Sequence, residues 1–221
     1  MSRFSNLNNT FVHSKKKTFL KYNNLKNCFE TEDKNIFNII NGIPDFFTQD
    51  VEKLSLTQSN FYDEVKFPNY DGIEDFRSLL NKSERSTFFK KLDEEIKMHA
   101  KVLEVGCGTG QLSLFLSRYQ RQIFSIDLAI KSLELGENFR KKNQIENVFF
   151  LRMNVFNLLF IKEFFDVIIS NGVLHHTENP KLAFVELTKC LKKGGYIVIG
   201  LYHRYGRIYN KITRFLINTF G

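Results

Sequence analysis

Three groups of residues have types and spacings that could do chemistry. The first is the turn inside VLEVGCGTGQLSLFLSR, residues 102–118, where Gly106, Gly108 and Gly110 alternate behind an apolar run. Glycine gives up more conformational entropy on folding than any other residue, so such a cluster needs a reason. One reason is a bare tight turn. Another is a ligand lying against the backbone, with the first N–H groups of the following helix beside it. Glu104 and Cys107 belong to the same run. The second group is one acid: Asp127 closes the run IFSID, 21 residues after Gly106. In doubly wound folds an acid at that place accepts hydrogen bonds from ribose hydroxyls. It can equally cap the helix that starts near Ala129. The third group is His175-His176, just after Val173-Leu174. A neutral imidazole titrates near working pH and can take a proton from an acceptor. The alternative is a structural pair, one ring packing and the other bonding backbone. Two adjacent histidines without a nearby cysteine make a poor zinc site.

These groups need elements to position them. Short β-like runs lie at 101–105, 122–126, 148–151, 165–170 and 196–201, and helix-like segments at 111–119, 129–143 and 179–191. Asn179-Pro180 is a helix start with Pro at the first helical position, and Lys192, Lys193 and Gly194 read as a stop. Strands alternating with helices predict an α/β fold: a doubly wound, Rossmann-like parallel sheet covered on both faces. Ser170 and Asn171 would then end the fourth strand, at the edge of the sheet where ligands collect.

Upstream the pattern is weaker. Residues 1–35 are rich in Asn and Lys with little periodicity, which predicts loose packing or partial disorder. Asn41-Gly42 and Pro44 mark turns, and FYDEVKFPNYDGIEDF, residues 61–76, reads as an ordered loop or lid. Asn81 and Glu84 read as a capping box, followed by Phe88, Phe89, Leu92 and Ile96 at helical spacing. The expected division is an extension or lid, partly irregular, over residues 1–80 and a ligand-binding domain over 81–221.

Composition narrows the classes. The 221 residues are 43% hydrophobic and 25% charged, with 24 Phe and no Trp. That is an ordinary globular balance with a Phe-built core. Cys28, Cys107 and Cys190 lie far apart with no C-x-x-C pair, so a disulfide framework and a zinc module are both disfavoured and a reducing cytoplasm is expected. No stretch reaches membrane-spanning length. The net charge of +8 allows nucleic acid as a partner, but the lysines are scattered apart from Lys15–Lys17, which fits solvated faces better.

In order along the chain, VLEVGCGTGQLS, SIDLAIKSLE, FDVIISNGVLHHT and LKKGGYIVIG resemble the successive motifs of class I S-adenosylmethionine-dependent methyltransferases. The likeness runs from about Lys101 to Leu201. It is nearest to enzymes acting on small molecules that carry a VLHH segment, such as those of quinone biosynthesis. FYDEVKFPNYDG and GLYHRYGR further resemble a group of uncharacterised bacterial methyltransferases. NGIPDFF resembles a phrase that elsewhere follows a zinc ribbon, whose paired cysteines are missing here.

The resemblance implies S-adenosyl-L-methionine as cofactor and a small-molecule acceptor. It implies Glu104, Gly106, Cys107, Gly108 and Gly110 around the methionine part, Asp127 on the ribose and Leu128 against the adenine. Asn154 stands where the family often has an Asp for the adenine amino group. Ser170 and Asn171 would lie beside the transferable methyl. His176, or else His175, would act as base, and Tyr62, Tyr70, Tyr202 and His203 are further pocket candidates. The family usually has seven strands, and only about twenty residues follow the fifth here, so the last two are expected to be missing. The fifth strand would then offer an edge to a second copy. RIYNKITRFLINTFG sets Ile208, Ile212, Phe215 and Leu216 on one helical face with Arg207, Lys211 and Arg214 between, the next helix of the fold or a basic surface helix. Two alternatives to a small-molecule enzyme stay open: a truncated binding module without turnover, and an RNA methyltransferase.

Overall fold

The computed structural model describes residues 2–13, 16–47 and 68–201. The apolar runs of the second half assemble into one five-stranded parallel sheet, made of β5 (Lys101–Val105), β6 (Gln122–Asp127), β7 (Val148–Arg152), β8 (Phe165–Asn171) and β9 (Leu191–Gly200). Their order is β7-β6-β5-β8-β9. Val102 sits beside Ile123 on one side and Val167 on the other. Strands buried on both faces need apolar residues at nearly every position, as VLEV, IFSI and VFFL supply. The order reverses between β5 and β8, and the crevice beyond their carboxyl ends is where this architecture binds ligands.

Helices α3 (Gln111–Leu116), α4 (Ile130–Lys142) and α5 (Pro180–Cys190) connect these strands. Asn179 caps α5 by accepting the Leu182 N–H at 3.0 Å, with Pro180 at the first position, as the sequence predicts. β9 starts earlier than expected, at Leu191 directly after the helix. Lys192–Gly195 bulges between Leu191 opposite Phe165 and Tyr196 opposite Val167. Among the described residues β9 pairs only with β8. The expected C-terminal helix, Tyr202 and His203 lie outside the described residues, as do Tyr62 and the first part of the expected lid.

The helical region upstream differs in detail from its sequence reading. There are two helices, α1 (Phe76–Ser83) and α2 (Thr87–Glu95). The capping box is Asp75 with Ser78, and Asn81 lies inside α1. Ser86 caps α2 by accepting the Phe89 N–H. The first turn forms six residues earlier than expected, where Leu79 is buried and Phe76 half-buried.

The N-terminal region corrects the expectation of loose packing. It forms a four-stranded antiparallel sheet of β1 (Lys21–Asn23), β2 (Cys28–Glu30), β3 (Ile36–Ile40) and β4 (Ile43–Pro44). Asn41 and Gly42, with φ of 53° and 91°, close the β3–β4 hairpin as the two-residue turn that needs positive φ twice. Phe4, Leu7, Phe11, Leu20 and Phe29 are all buried and share a core cluster with Phe124 and Phe165 of the parallel sheet. The ring of Phe11 packs against those of Phe29, Phe46, Phe124 and Phe160 at 4.8–6.4 Å. Strands this short, spaced by Asn and Lys, carry no readable period, and the face that buries them comes from the other half of the chain.

Candidate active site

The glycine turn follows β5, and its three glycines take φ of 69°, 55° and 76°. The Gly106 and Cys107 N–H groups both donate to the Ile126 carbonyl, at 2.8 and 3.1 Å, which stitches the turn to β6. The reasons for glycine differ along the turn. A Cβ on Gly106 would run into the Val173 side chain, and one on Gly110 into the Phe150 ring. Those two positions are held bare by the protein's own packing. Outside the turn, Thr109 Oγ1 donates to the Pro68 carbonyl at 2.5 Å and Tyr70 donates to the Thr109 carbonyl at 2.8 Å. Burial pushes the Tyr70 phenol well above its ordinary pKa. The described end of the expected lid is thus fastened to the back of the turn.

A cavity of about 490 Å³ opens beyond the carboxyl ends of β5, β6, β7 and β8, a size ordinary for a cofactor or small ligand. Glu104, Gly106, Cys107, Gly108, Asp127, Leu128, Asn154, Asn171 and His176 line it. Ser170, fully buried, and Gly110 and His175 do not. The His175 and His176 rings lie 4.1 Å apart, and of the two His176 lines the cavity.

Asp127 spends both carboxylate oxygens on backbone, accepting the Gly108 N–H at 2.8 Å and the Ala129 N–H at 2.9 Å. Glu104 is 9% exposed, and its Oε2 accepts the Ser113 hydroxyl. Burial pushes its carboxyl up to about 7; the Ser113 hydroxyl and main-chain N–H oppose this, and the nearby Asp127 charge adds to it. Burial also raises the Cys107 thiol well above its usual range, which makes it a poor nucleophile. Asn154 Oδ1 accepts the Phe156 N–H at 2.9 Å. That bond fixes the amide's orientation, and Asn154 Nδ2 is left buried with no hydrogen-bond partner.

Sequence reading missed the apolar wall, which includes Phe89, Met153, Val155, Phe156 and Val173. Met153 to Phe156 follow the carboxyl end of β7, and that position alone was signal enough to nominate them. Phe89 comes from α2, and no local pattern ties it to the turn.

A doubly wound parallel sheet, a glycine turn after its first strand and an acid closing its second define a class I methyltransferase fold. The family model described as "Methyltransferase domain" matches residues 96–213, and the chain belongs to that family. The chain is similar to the uncharacterised methyltransferase YcgJ of Bacillus subtilis, 27% identical over 105 residues, covering 48% of this chain and 42% of that protein. It is also similar to the ubiquinone biosynthesis O-methyltransferase of Pelagibacter ubique, 27% identical over 154 residues, covering 68% and 63%. Among solved structures, the geranyl diphosphate C-methyltransferase of Streptomyces coelicolor superposes with a TM-score of 0.59 at 14% identity, covering 76% of this chain and 73% of that one. The matches to the first curated relatives span about two fifths of their length. No helix among the described residues is long and apolar enough to cross a membrane.

Proposed function

We propose that this chain binds S-adenosyl-L-methionine in the cavity at the carboxyl ends of β5 to β7 and transfers its methyl group to a small-molecule acceptor. The observation that carries this reading is the convergence of Gly108, Asp127 and Asn154 on one cavity, with Asn154 Nδ2 buried and unpartnered at its wall. The residues present fit the cofactor. Asp127 presents its carboxylate edge to the ribose hydroxyls while its backbone bonds hold it still. Asn154 offers its unpartnered Nδ2 as a donor to a ring nitrogen of the adenine, and Oδ1, which accepts the Phe156 N–H, keeps a second lone pair for the adenine amino group. Leu128 and Phe156 flank the base. Glu104, Gly106, Cys107 and Gly108 surround the methionine part, with Gly110 shaping the turn from behind.

When bound, the cofactor supplies a methyl on a positively charged sulfur, an electrophile that needs little activation. The protein's part is to position the acceptor and exclude water. Asn171 and His176 edge the cavity on the β8 side, and Ser170 backs Asn171. His176 is the group that takes a proton from an acceptor that carries one, and His175 backs it. The relative named for ubiquinone biosynthesis O-methylation supports a small-molecule acceptor. The outer edge of β9 is the place where a second copy would pair. Calorimetric titration with S-adenosylhomocysteine tests the reading. One-to-one binding, weakened tenfold or more in Asp127→Ala, is expected; no binding heat from the intact chain overturns it.

A further inference from the structure

Two serines sit where the packing has no use for them. Ser113 on α3 and Ser125 on β6 are fully buried, between the apolar neighbours Leu112, Leu114, Phe124 and Ile126. A hydroxyl taken from water into such a layer costs free energy unless it is bonded. These two are bonded in one direction. Ser125 donates to Ser113 Oγ at 2.6 Å, and Ser113 donates to Glu104 Oε2. The chain of donors ends on the carboxyl that lines the cavity.

We propose that Ser125 and Ser113 are positioning residues that hold the Glu104 carboxyl toward the ammonium of the cofactor's amino-acid tail, so that cofactor binding expels a proton from Glu104. The inference rests on the cofactor reading above and adds a proton to it. The other titratable groups near Glu104 are Asp127 on β6, Cys107 in the turn, Tyr70 in the segment behind it and His176 across the cavity. Burial and the Asp127 charge favour the protonated acid, raising it to about 7, while the Ser113 hydroxyl and N–H favour the carboxylate. An arriving ammonium adds the missing positive charge. The Glu104 O–H bond breaks, its electron pair stays on the carboxylate, and the proton leaves to the buffer.

The experiment is titration of the whole chain with S-adenosylhomocysteine in two buffers of different ionisation enthalpy. The difference in heat gives the protons released. About 0.9 proton at pH 6 and about 0.5 at pH 7 are expected, with affinity tightening about fivefold between them. Glu104→Gln abolishes the release. Ser113→Ala and, more weakly, Ser125→Ala raise the proton count at pH 7, because the carboxylate loses a donor. A merely structural role would weaken binding equally at each pH and leave the count unchanged. Heat identical in both buffers, with binding intact, overturns the inference and leaves the cofactor reading standing; the wild-type chain alone decides this. Release from wild type that neither serine variant alters overturns the relay. No binding at any pH overturns both readings.

Discussion

Asp127 and Gly108 are bonded across the mouth of the cavity: the carboxylate Oδ2 accepts the Gly108 N–H at 2.8 Å. With Oδ1 on the Ala129 N–H, one side chain joins the glycine turn, the end of β6 and the entry to α4. Of the two readings of Asp127 from sequence, the helix cap does not hold: Ala129 is the N-cap of α4 and no side chain caps that helix. The Ala129 N–H bond is instead a local turn bond, and it fixes the side chain that the ligand role requires.

Removing that carboxylate should cost stability before any ligand is considered. Asp127→Ala strands two backbone donors and is expected to destabilise the chain by about 1–3 kcal/mol. Asp127→Asn keeps one acceptor oxygen and should lose about half as much. Urea unfolding without ligand measures both. Equal stability of all three proteins would show that water replaces the bonds at no cost.

The glycines of the turn should separate by cause. Gly106→Ala must hold a side chain at a φ of 69° and push Val173 aside, so about 2–4 kcal/mol of destabilisation is expected. Gly172→Ala has a similar φ of 78° but nothing within 4 Å of the new Cβ, and should cost about 1 kcal/mol. Adding Val173→Ala to Gly106→Ala should recover the steric part and not the backbone part. A double-mutant cycle measured by unfolding reads that coupling.

Arg121 should prove the most sensitive anchor of α2. It is 1% exposed and donates to Asp93 Oδ1 at 2.6 Å, to the Asp93 carbonyl at 2.7 Å and to the Ile96 carbonyl at 2.5 Å. Asp93→Ala leaves a buried guanidinium without its counter-charge, and a loss of about 3–5 kcal/mol is expected. The paired change Asp93→Ala with Arg121→Met should cost less than Asp93→Ala alone, because the buried guanidinium is then gone and Arg118, the other partner of Asp93, keeps its ion pair with Glu84. Denaturant midpoints of the two variants decide it.

The parallel sheet was legible because its strands are buried on both faces, so apolar runs such as VFFL and IFSI announce themselves. The glycine turn and Asp127 were legible because residue type and spacing carry their chemistry. What stayed hidden depends on contacts distant in sequence. Val173 and Phe150 dictate Gly106 and Gly110 from loops and strands 40 residues or more away. Phe11, Phe29 and Phe37 of the N-terminal region share one core cluster with Phe124 and Phe160, which no local window could supply. Ser113 and Ser125 read as unremarkable positions in apolar runs until the fold lines them up behind Glu104. The cap was read at Asn81 and stands at Asp75, because the burial of Leu79, which decides where the helix starts, comes from contacts outside the local window.

Glu104 also gives the ligand-free chain a pH dependence of stability with a definite sign. Its carboxyl moves from an ordinary 4.5 to about 7 on folding, so between those values the folded chain holds more protons than the unfolded one. Stability contributed by this group is complete below about pH 4.5 and is lost as pH rises through about 7. Carboxyls shifted the other way, such as Asp75 beside Ser78 and Glu95 beside Lys91, oppose this trend at lower pH, so total stability is not the right readout. The difference between wild type and Glu104→Gln is. Thermal unfolding of the two chains without ligand should give a gap in Tm that favours wild type, relative to the variant, most at low pH and shrinks steadily toward pH 7. A gap that does not change with pH would mean that folding leaves the Glu104 carboxyl at its ordinary value.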